Sequence, residues 1–160
     1  MEIMKKLSVW KLIVALAIPL VLGGVAGLIT TQAIPTWYAS LNKPSFNPPN
    51  SVFGPVWTVL YILMGISLYL IWQFPSGESR NRAMVLFGIQ MALNFAWSFL
   101  FFYFHEMGLA LLDIIALWIA IVSMMLLFYK VRPVAAYLNI PYLLWVSFAT
   151  TLNAAYWHLN

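Results

Sequence analysis

The chain has 160 residues, 64% of them hydrophobic and 8% charged, with a net charge of +4 and no cysteine. A soluble domain carries roughly 45–50% apolar and about 25% charged residues, so lipid must solvate much of this surface. The absence of cysteine excludes disulfides, thiolate metal sites and Cys nucleophiles.

Five apolar stretches are long enough to cross a bilayer, which takes about 20 helical residues. They fall near 9–31, 52–74, 83–104, 107–129 and 134–157. They predict an all-α fold, a five-transmembrane-helix bundle forming one domain over residues 1–160. The first stretch is longer than the apolar core of a secretory leader, about 7–15 residues, and reads as a span. It carries Pro19, which removes a backbone donor. It also carries Gly23 and Gly27 at GxxxG spacing, which suits either a dimer seam or internal packing.

Residues 32–50 contain Pro35, Pro44, Pro48 and Pro49. Prolines at this density prevent a regular helix. An irregular backbone must sit in water or over a cavity lined by protein, so the segment is expected to form a lid.

On the second span Trp57, Tyr61, Met64 and Leu68 follow helical spacing, and on the third Gln90, Asn94 and Trp97 share a face. Unpaired amides cost several kcal/mol in hydrocarbon, so that face should look into protein. The opposite face carries Gly88, Ala92 and Ala96, a small-residue stripe expected to serve a homodimer. Asp113 on the fourth span is expected to be a structural partner to backbone groups or Asn94. The fifth span carries Trp145, Phe148, Ala149, Leu152 and Tyr156 on one stripe, with Pro141 as an expected kink. Taken alone, such stripes fit ordinary helix packing as well as a pocket. Trp10, Trp72 and Trp157 lie at span ends, where an aromatic belt is expected.

Five crossings place Lys5, Lys6, Lys11, Arg80, Arg82, Lys130 and Arg132 on one side and only Lys43 on the other. The positive-inside rule then makes the N-terminus cytoplasmic, with the 32–50 loop and the C-terminus outside. Basic residues scattered as topogenic anchors form no nucleic-acid stripe. No P-loop or dinucleotide fingerprint is present. His105 and His158 lie at helix ends, so neither a metal site nor a Ser-His-Asp site is expected.

Two strings then stand out. Trp37-Tyr38-x-x-Leu41-x-Lys43-Pro44-Ser45-Phe46-x-Pro48-Pro49 is followed by Gly54-Pro55-Val56-Trp57-x-x-Leu60-Tyr61-x-x-Met64-Gly65. The later spans add Ala92-Leu93-Asn94-x-Ala96-Trp97-Ser98, then Met107-Gly108-x-Ala110-Leu111-x-Asp113. The last carries Pro141-Tyr142-Leu143-x-Trp145-x-x-Phe148-Ala149-Thr150-Thr151-Leu152-Asn153. In this order and spacing they resemble the signature of the TspO/MBR family of tryptophan-rich sensory and translocator proteins.

The resemblance implies a five-helix bundle, often dimeric, with a pocket under the long loop. It implies ligands that are porphyrins or haem-type tetrapyrroles, and in animal members cholesterol and benzodiazepine-site compounds. Carried over by motif, the ligand-binding positions are Tyr38, Pro48, Trp57, Tyr61, Asn94, Trp97, Trp145, Phe148, Ala149 and Leu152, with Gly27 added from the first span. Lys43 is the one basic residue on that side and is the expected partner of a ligand carboxylate. This chain departs from the animal pattern at Asn47 and Asn50, where histidines stand in animal members. It departs again at Ala154 and His158, where the cholesterol motif needs an aromatic and a Lys or Arg. These departures suggest a bacterial cell-membrane protein.

The expected function is binding of a flat hydrophobic ligand, as sensor, scavenger or carrier. One alternative is a light- and oxygen-dependent porphyrin-degrading enzyme using Trp57 and Trp145, for which the sequence supplies no acid–base pair at matched depth. Another is a secondary transporter of tetrapyrroles or steroids, against which stand the lack of an internal repeat and of a midplane acid. No cofactor is expected; porphyrin or haem would be the ligand.

Overall fold

A computed structural model describes residues 7–160. Lys5 and Lys6, part of the charge asymmetry above, lie outside the described residues. The described residues form α1 (Val9–Ala33), α2 (Asn50–Trp72), α3 (Glu78–Ser98), α4 (Met107–Val131), the short α5 (Pro133–Tyr137) and α6 (Ile140–Leu159). Two π-helical turns, Ile34–Tyr38 and Phe99–Tyr103, prolong α1 and α3. Five spans are long and apolar enough to cross a membrane, and no strand occurs among the described residues. The chain is an all-α integral membrane bundle.

Large apolar side chains such as Val21, Leu28, Val59, Leu112, Leu126 and Leu144 remain exposed on its outside. In water this would be an aggregation surface; in a bilayer it is the lipid contact. The interior divides in two. A long core runs through the middle and base of the bundle, built on Met64, Ile71, Phe87, Leu117, Met124, Phe128 and Val146. A smaller aromatic cluster of Tyr38, Phe101, Leu152 and Tyr156 lies at the loop end.

Helix limits differ from the sequence reading in three places. The first span runs through Pro35 to Tyr38, so the irregular segment shrinks from 32–50 to residues 41–49. Proline in a helix lacks a donor and crowds the carbonyl four residues back. The wider π turn relieves that crowding, which is why Pro35 does not end the helix. The third span starts at Glu78 rather than near 83, with an Arg82–Glu78 ion pair of 2.6 Å across its first turn. The fifth is broken, and Pro141 lies in the first turn of α6 rather than at an internal kink. A missing N–H there costs no intrahelical bond.

The break at the base is held by polar groups. Ser67, fully buried, donates to Ala135 O at 2.7 Å, and Asn139 Nδ2 donates to Ser67 Oγ at 2.7 Å and to Ala135 O at 2.9 Å. Near them α1 and α2 touch closely. A Cβ added to Gly65 would lie 2.8 Å from Leu16 Cα and 2.9 Å from Ala15 O, so only glycine fits. Midway along the pair, Gly23 leaves room for the Tyr61 ring, which a Cβ would strike. Here the GxxxG glycine serves internal packing. Beyond this point the two helices part: a Cβ on Gly24, Gly27 or Gly54 would meet nothing within 4 Å.

Candidate functional site

The parting of α1 and α2 leaves a cavity of about 490 Å³ at the loop end of the bundle. Ligand pockets span about 300–1,000 Å³. Of the sequence-derived positions, Gly27, Tyr38, Trp57, Tyr61, Asn94, Trp97, Trp145, Ala149 and Leu152 line it. Pro48 and Phe148 do not. Phe148 turns under the loop toward Phe46, with ring centroids 6.3 Å apart. Pro48 is half-buried in the loop itself. Lys43 is not in the lining either; its Nζ stands 5.3 Å from the centre of the Tyr38 ring.

A chain of hydrogen bonds makes the floor. Tyr61 donates to Asn94 Oδ1 at 3.0 Å, Asn94 Nδ2 donates to the Tyr142 oxygen at 2.9 Å, and Tyr142 donates to Gln90 Oε1 at 2.8 Å. All four side chains are buried. Each amide is thus paired with groups from other helices, which is what burial away from water demands. The same bonds lock the Tyr61 ring, on which Trp57 stacks at 5.4 Å and 25°. Asp113 takes no part. Contrary to expectation it bonds neither Asn94 nor the backbone, and its buried Oδ2 has no partner among the described residues.

The walls are aromatic. Trp97 stacks on Phe101 at 5.3 Å and 22°, and Trp145 meets Phe53 edge-on at 6.0 Å. The tryptophans differ in one respect. The Trp97 indole donates to Asn153 Oδ1 at 2.9 Å, and Asn153 Nδ2 in turn donates to Met107 O at 2.9 Å, so that donor is spent. Outside the cavity the Trp118 indole is likewise spent on Ser147. The indole N–H groups of Trp57 and Trp145 make no hydrogen bond within the described residues, which leaves them free for a ligand.

No carboxylate, ammonium, guanidinium or imidazole belongs to the lining. The phenols are committed to Asn94 and to a three-way cluster at the roof. Tyr38 donates to Asn47 Oδ1 at 3.0 Å, while the Tyr156 hydroxyl lies 2.7 Å from the Tyr38 oxygen and 2.9 Å from the same Oδ1. A second fastening joins the loop to the end of α6: Asn42 N donates to Asn160 Oδ1 at 2.8 Å, and Asn160 Nδ2 donates to Asn42 O at 3.1 Å. Both fastenings lie on the α6 side. His105, in the α3–α4 turn, stacks on Trp37 at 4.1 Å, and among the described residues no acid or imidazole cluster could hold a metal.

The sequence reading missed Phe101, Phe102, Ser98, Gly54 and Thr58, which also line the cavity. Phe101 and Phe102 sit in a π turn, where a count of 3.6 residues per turn puts them on the wrong face. Gly54 and Thr58 share a helix face with Asn50, and this small polar run was the one available signal.

The profile of the TspO/MBR family matches residues 15–158. The chain is 40% identical to the tryptophan-rich protein TspO of Archaeoglobus fulgidus over 154 residues, covering 96% of this chain and 99% of that one. It is 44% identical to the tryptophan-rich protein TspO of Chlorobaculum tepidum over 154 residues, 93% of this chain and 96% of the relative. With the human translocator protein it shares 44% identity over 127 residues, 78% of this chain and 75% of the relative. Matched along nearly all its length by both profile and relatives, the chain belongs to the TspO/MBR family.

Proposed function

We propose that the protein binds a flat hydrophobic molecule in the membrane, a porphyrin or haem-type tetrapyrrole, as a sensor, scavenger or carrier. The observation that carries this reading is a cavity free of formal charge, walled by aromatic faces, with two unspent indole donors. Rigid rings offer large contact area at low entropic cost. Indole N–H groups would fix the ligand's orientation. A charged substituent finds no partner inside, so propionates would project beyond the lining, toward Lys43 at the loop. In this proposal the loop end faces outside, since Lys11, Arg80, Arg82, Lys130 and Arg132 all lie at the other end. The stripe of Gly88, Ala92 and Ala96 is the proposed dimer seam: Gly88 and Ala92 are exposed on the outside of α3 and border an apolar groove.

Titration with protoporphyrin IX, followed by tryptophan quenching, tests the reading. Replacing both free indoles (Trp57→Phe with Trp145→Phe) should weaken binding about tenfold, on the scale of two lost hydrogen bonds. Unchanged affinity would remove the indoles from the site.

A second reading, porphyrin degradation, is favoured by the same two indoles, which would lie against the macrocycle. Repeated turnover under light and oxygen, lost on replacing Trp57 or Trp145, would support it. Consumption of one equivalent at most would count against it.

A further inference from the structure

The cavity's shape raises the question of how a ligand reaches it. The loop above is fastened to α6 at two places, through Asn47 with Tyr38 and Tyr156, and through Asn42 with Asn160. Tyr156 is only 1% exposed, so the inner fastening is dry. Lifting the loop would break both together and leave buried phenol and amide groups unpaired, at about 1–3 kcal/mol for each such group.

The flank is different. Every lining residue that is exposed belongs to α1 or α2: Leu20, Gly24 and Thr31 on one helix, and Asn50, Ser51, Gly54, Pro55 and Thr58 on the other. The lining residues of α3 and α6 are buried or half-buried. Along the gap a Cβ on Gly24, Gly27 or Gly54 meets no atom within 4 Å, so the helices are not in contact there. At 1.5 Å per residue the stretch from Asn50 to Thr58 covers about 12 Å, which carries the gap from the interface into hydrocarbon.

The chemistry of the two edges suits lipid. Thr31 bonds Leu28 O at 3.0 Å and Thr58 bonds Gly54 O at 2.9 Å, so these hydroxyls are satisfied within their own helices and present methyl groups. Polar residues bordering a water-filled mouth would have no need of such bonds.

We propose that the ligand enters and leaves sideways, from the leaflet at the loop end, through the gap between α1 and α2, while the loop stays fastened to α6. This rests on the reading of the cavity as a binding site. The gap's small side chains admit a flat molecule edge-on, and the contact at Gly23 and Tyr61 stops it from going deeper. An amphiphilic tetrapyrrole dissolved in the bilayer would arrive with its ring plane already among the acyl chains and its carboxylates at the headgroups.

The test uses the full chain in liposomes with protoporphyrin IX, followed by stopped-flow quenching. Narrowing the gap with Gly54→Leu or Thr58→Phe should slow association and dissociation together by about tenfold, within the range over which association rates vary among variants. The equilibrium constant should move by less than about threefold, because a gate acts on the passage and not on the bound state. Separately, cysteines replacing Asn42 and Asn160, in a chain that has none of its own, can be joined by a short bifunctional thiosulfonate. The joined protein should bind at the rate of the unjoined one. Binding abolished by the join, or unaltered rates in both gap variants, would overturn the route while leaving the cavity as a site. Failure of the unaltered protein to quench at all would overturn the binding reading, and the route with it.

Discussion

The α1–α2 seam behaves in opposite ways at its two ends, although glycine is prominent at both. At the base, Gly65 is there because α1 backbone lies where its side chain would be. At the loop end, Gly27 has open space beside it. The same residue type therefore serves contact in one half and vacancy in the other, and spacing alone cannot say which. A hydrocarbon solvent gives helices no hydrophobic reason to associate, so close packing and interhelical hydrogen bonds must do it. This bundle places such contacts at the base and middle, which frees the other end to stay open.

That contrast can be broken most severely at its tight end. Gly65→Leu forces a side chain into the Ala15–Leu16 backbone and should destabilise the fold by about 3 kcal/mol, at the upper end of overpacking costs. Thermal unfolding in detergent measures it, and a wild-type melting temperature would refute the close contact. Next comes the hydrogen-bonded floor between the two halves. Tyr142→Phe leaves Asn94 Nδ2 and Gln90 Oε1 without their partner and should cost about 2 kcal/mol of stability. The same assay reads it, and a neutral result would mean that the amides find other partners. Smallest in stability is the open end. Gly27→Leu should melt within a few degrees of the unaltered protein yet lower porphyrin affinity about tenfold, the effect of about 1.4 kcal/mol of lost contact. Equal melting with equal affinity would show that Gly27 faces space the ligand does not use.

Trp97→Phe sharpens the comparison within the cavity wall. It removes the donor to Asn153, which also holds Met107 O. It should therefore lower stability by about 1 kcal/mol, as loss of one hydrogen bond does, whereas Trp145→Phe, whose donor is free, should lower affinity and leave the melting temperature in place.

Much of this arrangement was legible in the sequence. The five spans follow from hydropathy, and the inward direction of Asn94 follows from the cost of an unpaired amide in lipid. The stripe on α6 was read correctly at Trp145, Ala149 and Leu152 and wrongly at Phe148, which shares the helix but turns toward Phe46. A stripe about a third of the circumference wide includes residues at its edges, and tertiary packing decides which way each one leans. Proline misled the reading at Pro35, because a wider turn can absorb what a regular one cannot. The gap at Gly54 and Thr58 was out of reach, since divergence of two helices depends on where their contacts lie and not on the composition of either.

The two π turns have a further consequence. Ile34 and Tyr38 from one, and Phe101 and Phe102 from the other, meet at the rim of the cavity. Each turn holds its aromatic residues at an azimuth reached only because one more residue is wound into it than a regular helix allows. Deleting one residue from either would reset its rim by about 100°, leaving composition and hydropathy almost untouched. The rim is therefore set by chain length as much as by chemistry, and single-residue insertions or deletions there are the changes most able to give relatives of this fold different ligands.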